Sequence, residues 1–85
     1  MFNIDYSNQA KRFLKKVDRT IAKRILDKIE ELSNNPFPTD VKRIVNKKEK
    51  IFRVRVGDYR IQYSVFYNKN ILFISDIDKR SRAYD

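Results

Sequence analysis

The sequence predicts an α+β domain: an N-terminal strand, an αα-hairpin, then an antiparallel β-meander with the helices packed on one face of the sheet. Three observations lead there. Apolar residues alternate with polar ones over residues 2–6, recur every three or four positions over residues 10–32, and become β-branched and aromatic from residue 44 onward. At 85 residues the chain is too short for two cores that each stand alone, so residues 1–85 are expected to form a single domain.

The elements follow in order. Phe2-Asn3-Ile4-Asp5-Tyr6 has the period of a strand buried on one face. Ser7 can cap a helix in which Ala10, Phe13, Leu14 and Val17 share one stripe, and Asp18 can cap a second carrying Ile21, Ile25, Ile29 and Leu32. The joint at residues 17–19 is short, which makes the two helices an antiparallel pair. Asn34-Asn35-Pro36 ends the second helix, and residues 36–40 read as loop. Ile44-Val45, Ile51 to Val56, Tyr59 to Tyr67 and Ile71 to Ile77 then read as strands. Among the aromatics, Phe66, Tyr67 and Phe73 are expected in the core and at the sheet edge rather than stacked on bases.

Composition narrows the chemistry. Without Cys there is no disulfide scaffold, zinc finger or thiol nucleophile, and without His no Ser-His-Asp triad or imidazole acid–base pair. No apolar run reaches the ~18 residues of a membrane span, and no signal-peptide pattern opens the chain. A cytoplasmic protein with no membrane partner is the expectation. The net charge of +9 points to a polyanion, and it is uneven: residues 1–35 carry eight cations against five acids, residues 36–85 twelve against six.

The hairpin gives that charge a location. Gly57-Asp58 suits a two-residue type II′ turn with Gly supplying the positive φ. The turn sets Val56 opposite Tyr59, Arg55 opposite Arg60, Val54 opposite Ile61, Arg53 opposite Gln62 and Phe52 opposite Tyr63. Because side chains alternate, Phe52, Val54, Val56, Tyr59, Ile61, Tyr63 and Val65 face the core. Arg53, Arg55, Arg60, Gln62 and Ser64 face away. Two arginines directly opposed cost the fold roughly 0.2–1 kcal/mol. A solvated outer face accounts for the polarity but not the single sign, whereas phosphate binding accounts for both, since the guanidinium fork grips phosphate oxygens in pairs.

Other charges extend the surface. Lys47, Lys48 and Lys50, with Lys42 and Arg43, form a basic approach to the hairpin, which a solvated loop explains equally well. The C-terminal run Lys79-Arg80-Ser81-Arg82-Ala83-Tyr84 adds three cations and a tyrosine; if the last strand lies beside the hairpin, Arg80 falls near the arginine face. Asp76 and Asp78, two apart on a strand, either hold a hard divalent ion or pair with neighbouring Lys and Arg.

The string Arg53-Val-Arg55-Val-Gly57-Asp58-Tyr59-Arg60-Ile-Gln-Tyr63, followed by Lys79-Arg80-Ser81-Arg82-Ala83-Tyr84, resembles the RelE branch of the RelE/ParE toxin superfamily. The likeness spans nearly the whole chain. It implies a RelE-like fold and the toxin of a type II toxin–antitoxin pair: a metal- and cofactor-free endoribonuclease that enters the ribosomal A site and cuts mRNA there. The 2′-hydroxyl attacks the adjacent phosphate, which calls for a base, cations around the phosphorane, and an acid for the leaving oxygen. By position, Arg53 and Arg55 match a basic pair around the attacking hydroxyl, Arg60 and Arg80 the residues on the scissile phosphate, and Tyr84 a tyrosine that stacks on a base or moves a proton. Lys47, Lys48, Lys50, Lys79 and Arg82 are the expected RNA-binding cations.

One departure matters. Better-known members carry Lys where this chain has Arg53 and Arg55, and Arg scarcely gives up its proton. The base is left open between Lys79, Tyr84 and a ribosomal group. The resemblance also implies a small acidic antitoxin that covers the cationic face, with any DNA contact made by that partner and none by this chain. Two alternatives share the scaffold: a ParE-like inhibitor of DNA gyrase, and a non-catalytic RNA- or ribosome-binding module.

Overall fold

The computed structural model describes residues 1–44, with Ile44 as backbone only, and residues 50–79. In order along the chain these form β1 (Asn3–Tyr6), α1 (Asn8–Lys16), α2 (Arg19–Asn34), β2 (Lys42–Ile44), β3 (Ile51–Val56), β4 (Tyr59–Phe66), a 3₁₀ turn (Tyr67–Lys69) and β5 (Ile71–Lys79). The described strands make one sheet in the order β1-β5-β4-β3-β2. β2 to β5 are an antiparallel meander, and β1 returns to pair in parallel with β5. The α+β architecture, with helices on one face of the sheet, is as expected. Pairing the first strand with the last closes the sheet's far side.

Both caps form as the side chains suggest. Ser7 Oγ accepts the Ala10 N–H at 3.1 Å, and the Asp18 carboxylate accepts the Thr20 N–H at 3.0 Å. Ser7 also donates its hydroxyl to the Ser75 carbonyl at 2.8 Å, so one residue ends β1, starts α1 and ties both to β5. The helices lie on one face of the sheet. Ala10, Ile25, Ile29 and Leu32 are buried against Val54, Ile61, Tyr63, Leu72, Ile74 and Ile77. The hairpin register matches the sequence-based pairing at all five positions from Val56–Tyr59 to Phe52–Tyr63. Gly57 has φ +59° and Asp58 does not share its positive φ, which fits the type II′ turn.

Several boundaries differ. β2 begins at Lys42, ahead of the Ile44-Val45 pair, because Lys42 and Arg43 pair with Arg53 and Phe52; Val45 lies outside the described residues. β4 ends at Phe66, since Tyr67 opens the 3₁₀ turn and leaves the alternation. Phe66 and Tyr67 are 44% and 66% exposed, so of the core and sheet-edge places expected for these aromatics neither takes the core; the Tyr67 ring meets Phe2 edge-on at 5.5 Å.

A β-bulge lies in β5. Gln62 pairs with Asp76 but the next residue, Tyr63, pairs with Ile74, leaving Ser75 as an extra residue. Its hydroxyl donates to the Gln62 carbonyl at 3.2 Å. The extra residue reverses the alternation. Leu72 and Ile74 face the helices before it and Ile77 faces them after it. Asp76 and Asp78 are thereby turned to the outer face, where an unbulged strand would have buried them and exposed Ile77.

Candidate nucleic-acid interface

The outer face carries its charge in two rows that cross the strands. One row runs Lys42 (β2), Arg53 (β3), Gln62 (β4), Asp76 (β5); the next runs Arg55 (β3), Arg60 (β4), Asp78 (β5). Like charges stand directly opposite at Lys42–Arg53 and at Arg55–Arg60, arrangements that weaken a sheet. The face is therefore polarised. Cations crowd the β2–β3 side and carboxylates hold the β5 side, so the surface is less single-signed than the hairpin alone suggested.

The cationic side is also concave. Beyond the start of β2 at Lys42 the edge of β3 is open, and a cleft of about 530 Å³ lies there, lined by Asp40, Lys42, Arg53, Val54, Arg55 and Gly57. Arg55 is exposed and Arg53 partly so. Arg60 is held differently. Its Nε lies 3.3 Å from Asp78 Oδ1 and its Nη2 3.5 Å from Oδ2, with only 18% of the side chain exposed. This two-pronged contact fixes the guanidinium plane. The Asp76 carboxyl is raised above its ordinary pKa by burial first and by Asp78 second, against the lowering influence of the Ile77 N–H and of Arg60. Of the two fates open to the Asp76/Asp78 pair, ion pairing with a neighbouring arginine is the one Asp78 adopts.

The expected site residues divide accordingly. Arg53, Arg55 and Arg60 come together on one face. Lys50 is exposed at the entry to β3. Lys79 does not join them: it pairs with Tyr59 on the helix side and lines a second cleft of about 440 Å³ with Arg12, Phe13, Lys16 and Val17. The bulge is the reason, since it sends odd-numbered β5 residues after Ser75 toward the helices. Arg80, Tyr84, Lys47, Lys48 and Arg82 lie outside the described residues. Sequence reasoning missed Arg24, whose guanidinium lies against the hairpin turn. A Cβ at Gly57 would stand 3.3 Å from its Nη2. Nothing local distinguishes Arg24 from the other cations of α2.

Comparison with known proteins makes this chain a toxin of a type II toxin–antitoxin system. A family model described as "ParE toxin of type II toxin-antitoxin system, parDE" matches residues 4–84. A protein of Methanocaldococcus jannaschii that bears the name toxin RelE1 is 34% identical over 86 residues, covering 98% of this chain and 94% of its own. The chain belongs to the RelE/ParE superfamily and is RelE-like. Among solved structures, the archaeal RelE–RelB complex from Pyrococcus horikoshii OT3 is similar with a TM-score of 0.81 at 25% identity, over 95% of this chain and 97% of that one. The isolated Escherichia coli RelE toxin has a TM-score of 0.83 at 19% identity, over 99% and 89%, a likeness of fold alone. Among the described residues no helix is long and apolar enough to cross a membrane.

Proposed function

We propose that this toxin is an mRNA endoribonuclease that acts at the ribosomal A site, using the attack of a ribose 2′-OH on the adjacent phosphate and no metal. The observation that carries this reading is the pair of opposed cation rows, Lys42–Arg53 and Arg55–Arg60, beside an open cleft. The arrangement costs the fold stability, and a dianionic phosphorane repays that cost. Arg53 and Arg55 line the cleft and meet the phosphate first. Arg60, its plane set by Asp78, adds its positive charge beside the phosphate. Neither Arg53 nor Arg55 accepts the 2′-OH proton, because a guanidinium stays charged in proteins. Arg80 is proposed to complete the site on the scissile phosphate, Tyr84 to stack on a base or assist proton transfer, and Lys47, Lys48, Lys50 and Arg82 to steer RNA toward it.

The partner proposed for the resting state is a cognate acidic antitoxin. RelE proteins of P. horikoshii and Mycobacterium tuberculosis were solved in complex with their antitoxins. An acidic segment laid over the Lys42–Arg53–Arg55 surface would neutralise the repulsion and block the cleft at once.

A translation reaction with intact ribosomes tests the reading, with cuts mapped on the mRNA by primer extension. Codon-phased cuts that need ribosomes support it; an uncut message overturns it. The matching family model carries the ParE name, so a gyrase supercoiling assay belongs beside it. Inhibition there without cleavage would establish the gyrase reading instead.

A further inference from the structure

The proposed reaction needs a proton acceptor, and both arginines nearest the cleft are unsuited to it. Among the described residues the outer face holds one group that is suited. Asp76 lies in the same cross-strand row as Arg53, with Gln62 between them, and next to the Arg60–Asp78 pair. It is there only because Ser75 is bulged out; bulges beside functional sites commonly re-aim a side chain in this way. The two carboxylates brought round by the bulge have different fates. Asp78 is spent on Arg60 at 3.3 Å, whereas Asp76 has no ion-pair partner among the described residues.

We propose that Asp76 is the general base of the cleavage reaction, an inference that rests on the endoribonuclease reading above. With the phosphate between Arg53 and Arg60, the ribose lies toward β5, over Gln62 and Asp76. The Asp76 carboxylate takes the 2′-OH proton as the 2′-oxygen forms its bond to phosphorus. The P–O5′ bond breaks, the 5′-oxygen leaves with its electron pair and takes a proton from water, and a 2′,3′-cyclic phosphate remains. Asp76 then returns its proton to solvent. Every charged group that faces Asp76 among the described residues fits this role. On β5 the Asp78 carboxylate opposes its ionisation, and on β4 Arg60 favours it. Arg53 and Arg55 on β3 are farther off, and neutral Gln62 is its direct opposite. A partly buried carboxyl with a raised pKa is a stronger proton acceptor than an ordinary surface one.

The test compares the full chain with its Asp76→Asn variant in the ribosome cleavage reaction, under single turnover and across pH. The Asn variant is expected to bind programmed ribosomes as the parent does, yet cleave roughly 10²–10⁴-fold more slowly, the usual contribution of a positioned base. It should also lose the fall in rate that the parent shows as pH drops through the Asp76 pKa. Asp76→Glu, which keeps the carboxylate, should retain well above the Asn variant's rate. If Asp76→Asn fails to fold, Asp76→Ser takes its place. Cleavage by the Asn or Ser variant at the parental rate and with the parental pH profile overturns the assignment of Asp76 alone. Equal losses in Glu and Asn variants overturn it too. Absence of cleavage by the parent overturns the endoribonuclease reading itself.

Discussion

Arg60 and Asp78 face each other across the β4–β5 ladder and meet at 3.3 Å, one cation and one acid at the seam of a polarised surface. The pair does two jobs: it holds the guanidinium plane of Arg60, and it places a negative charge beside Asp76. Asp78→Asn should therefore lower cleavage through Arg60 while shifting the Asp76 pKa down. Carboxyl NMR titration of Asp76 in parent and variant checks the second effect. Asp78 is 39% exposed, so the loss of stability should stay within ~0.2–1 kcal/mol by urea denaturation.

The opposed arginines predict a trade of stability against activity. Arg55→Thr removes one member of the Arg55–Arg60 pair and supplies a β-branched residue. It should stabilise the fold by roughly 0.2–1 kcal/mol in thermal denaturation. Cleavage should fall by about 10²–10³-fold if the lost donor served the phosphorane. A variant neither more stable nor less active would deny Arg55 this place.

Two of the groups with raised pKa values, Asp76 and Tyr63, give the stability a pH dependence of known sign. The Asp76 pKa is raised in the folded state, so its favourable contribution is complete below the ordinary value of 3.8 and is lost as pH rises through the folded value. At neutral pH the carboxylate opposes folding, and Asp76→Asn should melt higher than the parent there but not at pH 3. Tyr63 is raised far above its ordinary 10.0 by burial, with the Asp40 charge adding, and its hydroxyl donates to the Pro36 carbonyl. Its contribution is complete below pH 10 and declines above it, since the unfolded chain then ionises more readily. Alkaline denaturation followed by circular dichroism should begin near pH 10 and be reduced in Tyr63→Phe.

Gly57→Ala tests the hairpin. The φ of +59° belongs to the left-handed region, where a Cβ costs about 1–2 kcal/mol. The new Cβ would also crowd Arg24 Nη2 at 3.3 Å. The end of an arginine moves easily, so adding Arg24→Ala should restore little of the loss. A large recovery in the double variant, read by urea denaturation, would place the cost in Arg24 instead of the backbone.

What the sequence disclosed and what it withheld have physical reasons. Caps, stripes and the hairpin register depend on residues a few positions apart, so Ser7, Asp18 and Gly57 could be read directly. The direction of Lys79 and the outward turn of Asp76 depend on one unpaired residue, Ser75, with nothing in its neighbours to mark it. Periodicity alone would send Asp76 and Asp78 inward with Leu72 and Ile74. β2 was misplaced because its first two residues are cations that pair by backbone, which apolar patterning does not register. Arg24 went unseen because its role depends on a turn 33 positions further on.

The parallel pairing of β1 with β5 has a consequence for how the toxin is made. Asn3 N–H bonds the Asn70 carbonyl and Ser7 N–H the Ile74 carbonyl, each at 2.9 Å, and Gln9 grips Ile77 at both its N–H and its carbonyl. The first strand has no strand partner until β5 has been synthesised. β4, which carries Arg60, likewise waits for β5 to supply Asp78. Such long-range contacts delay folding, so the arginine face takes its final form only after β5 has joined the sheet beside β4.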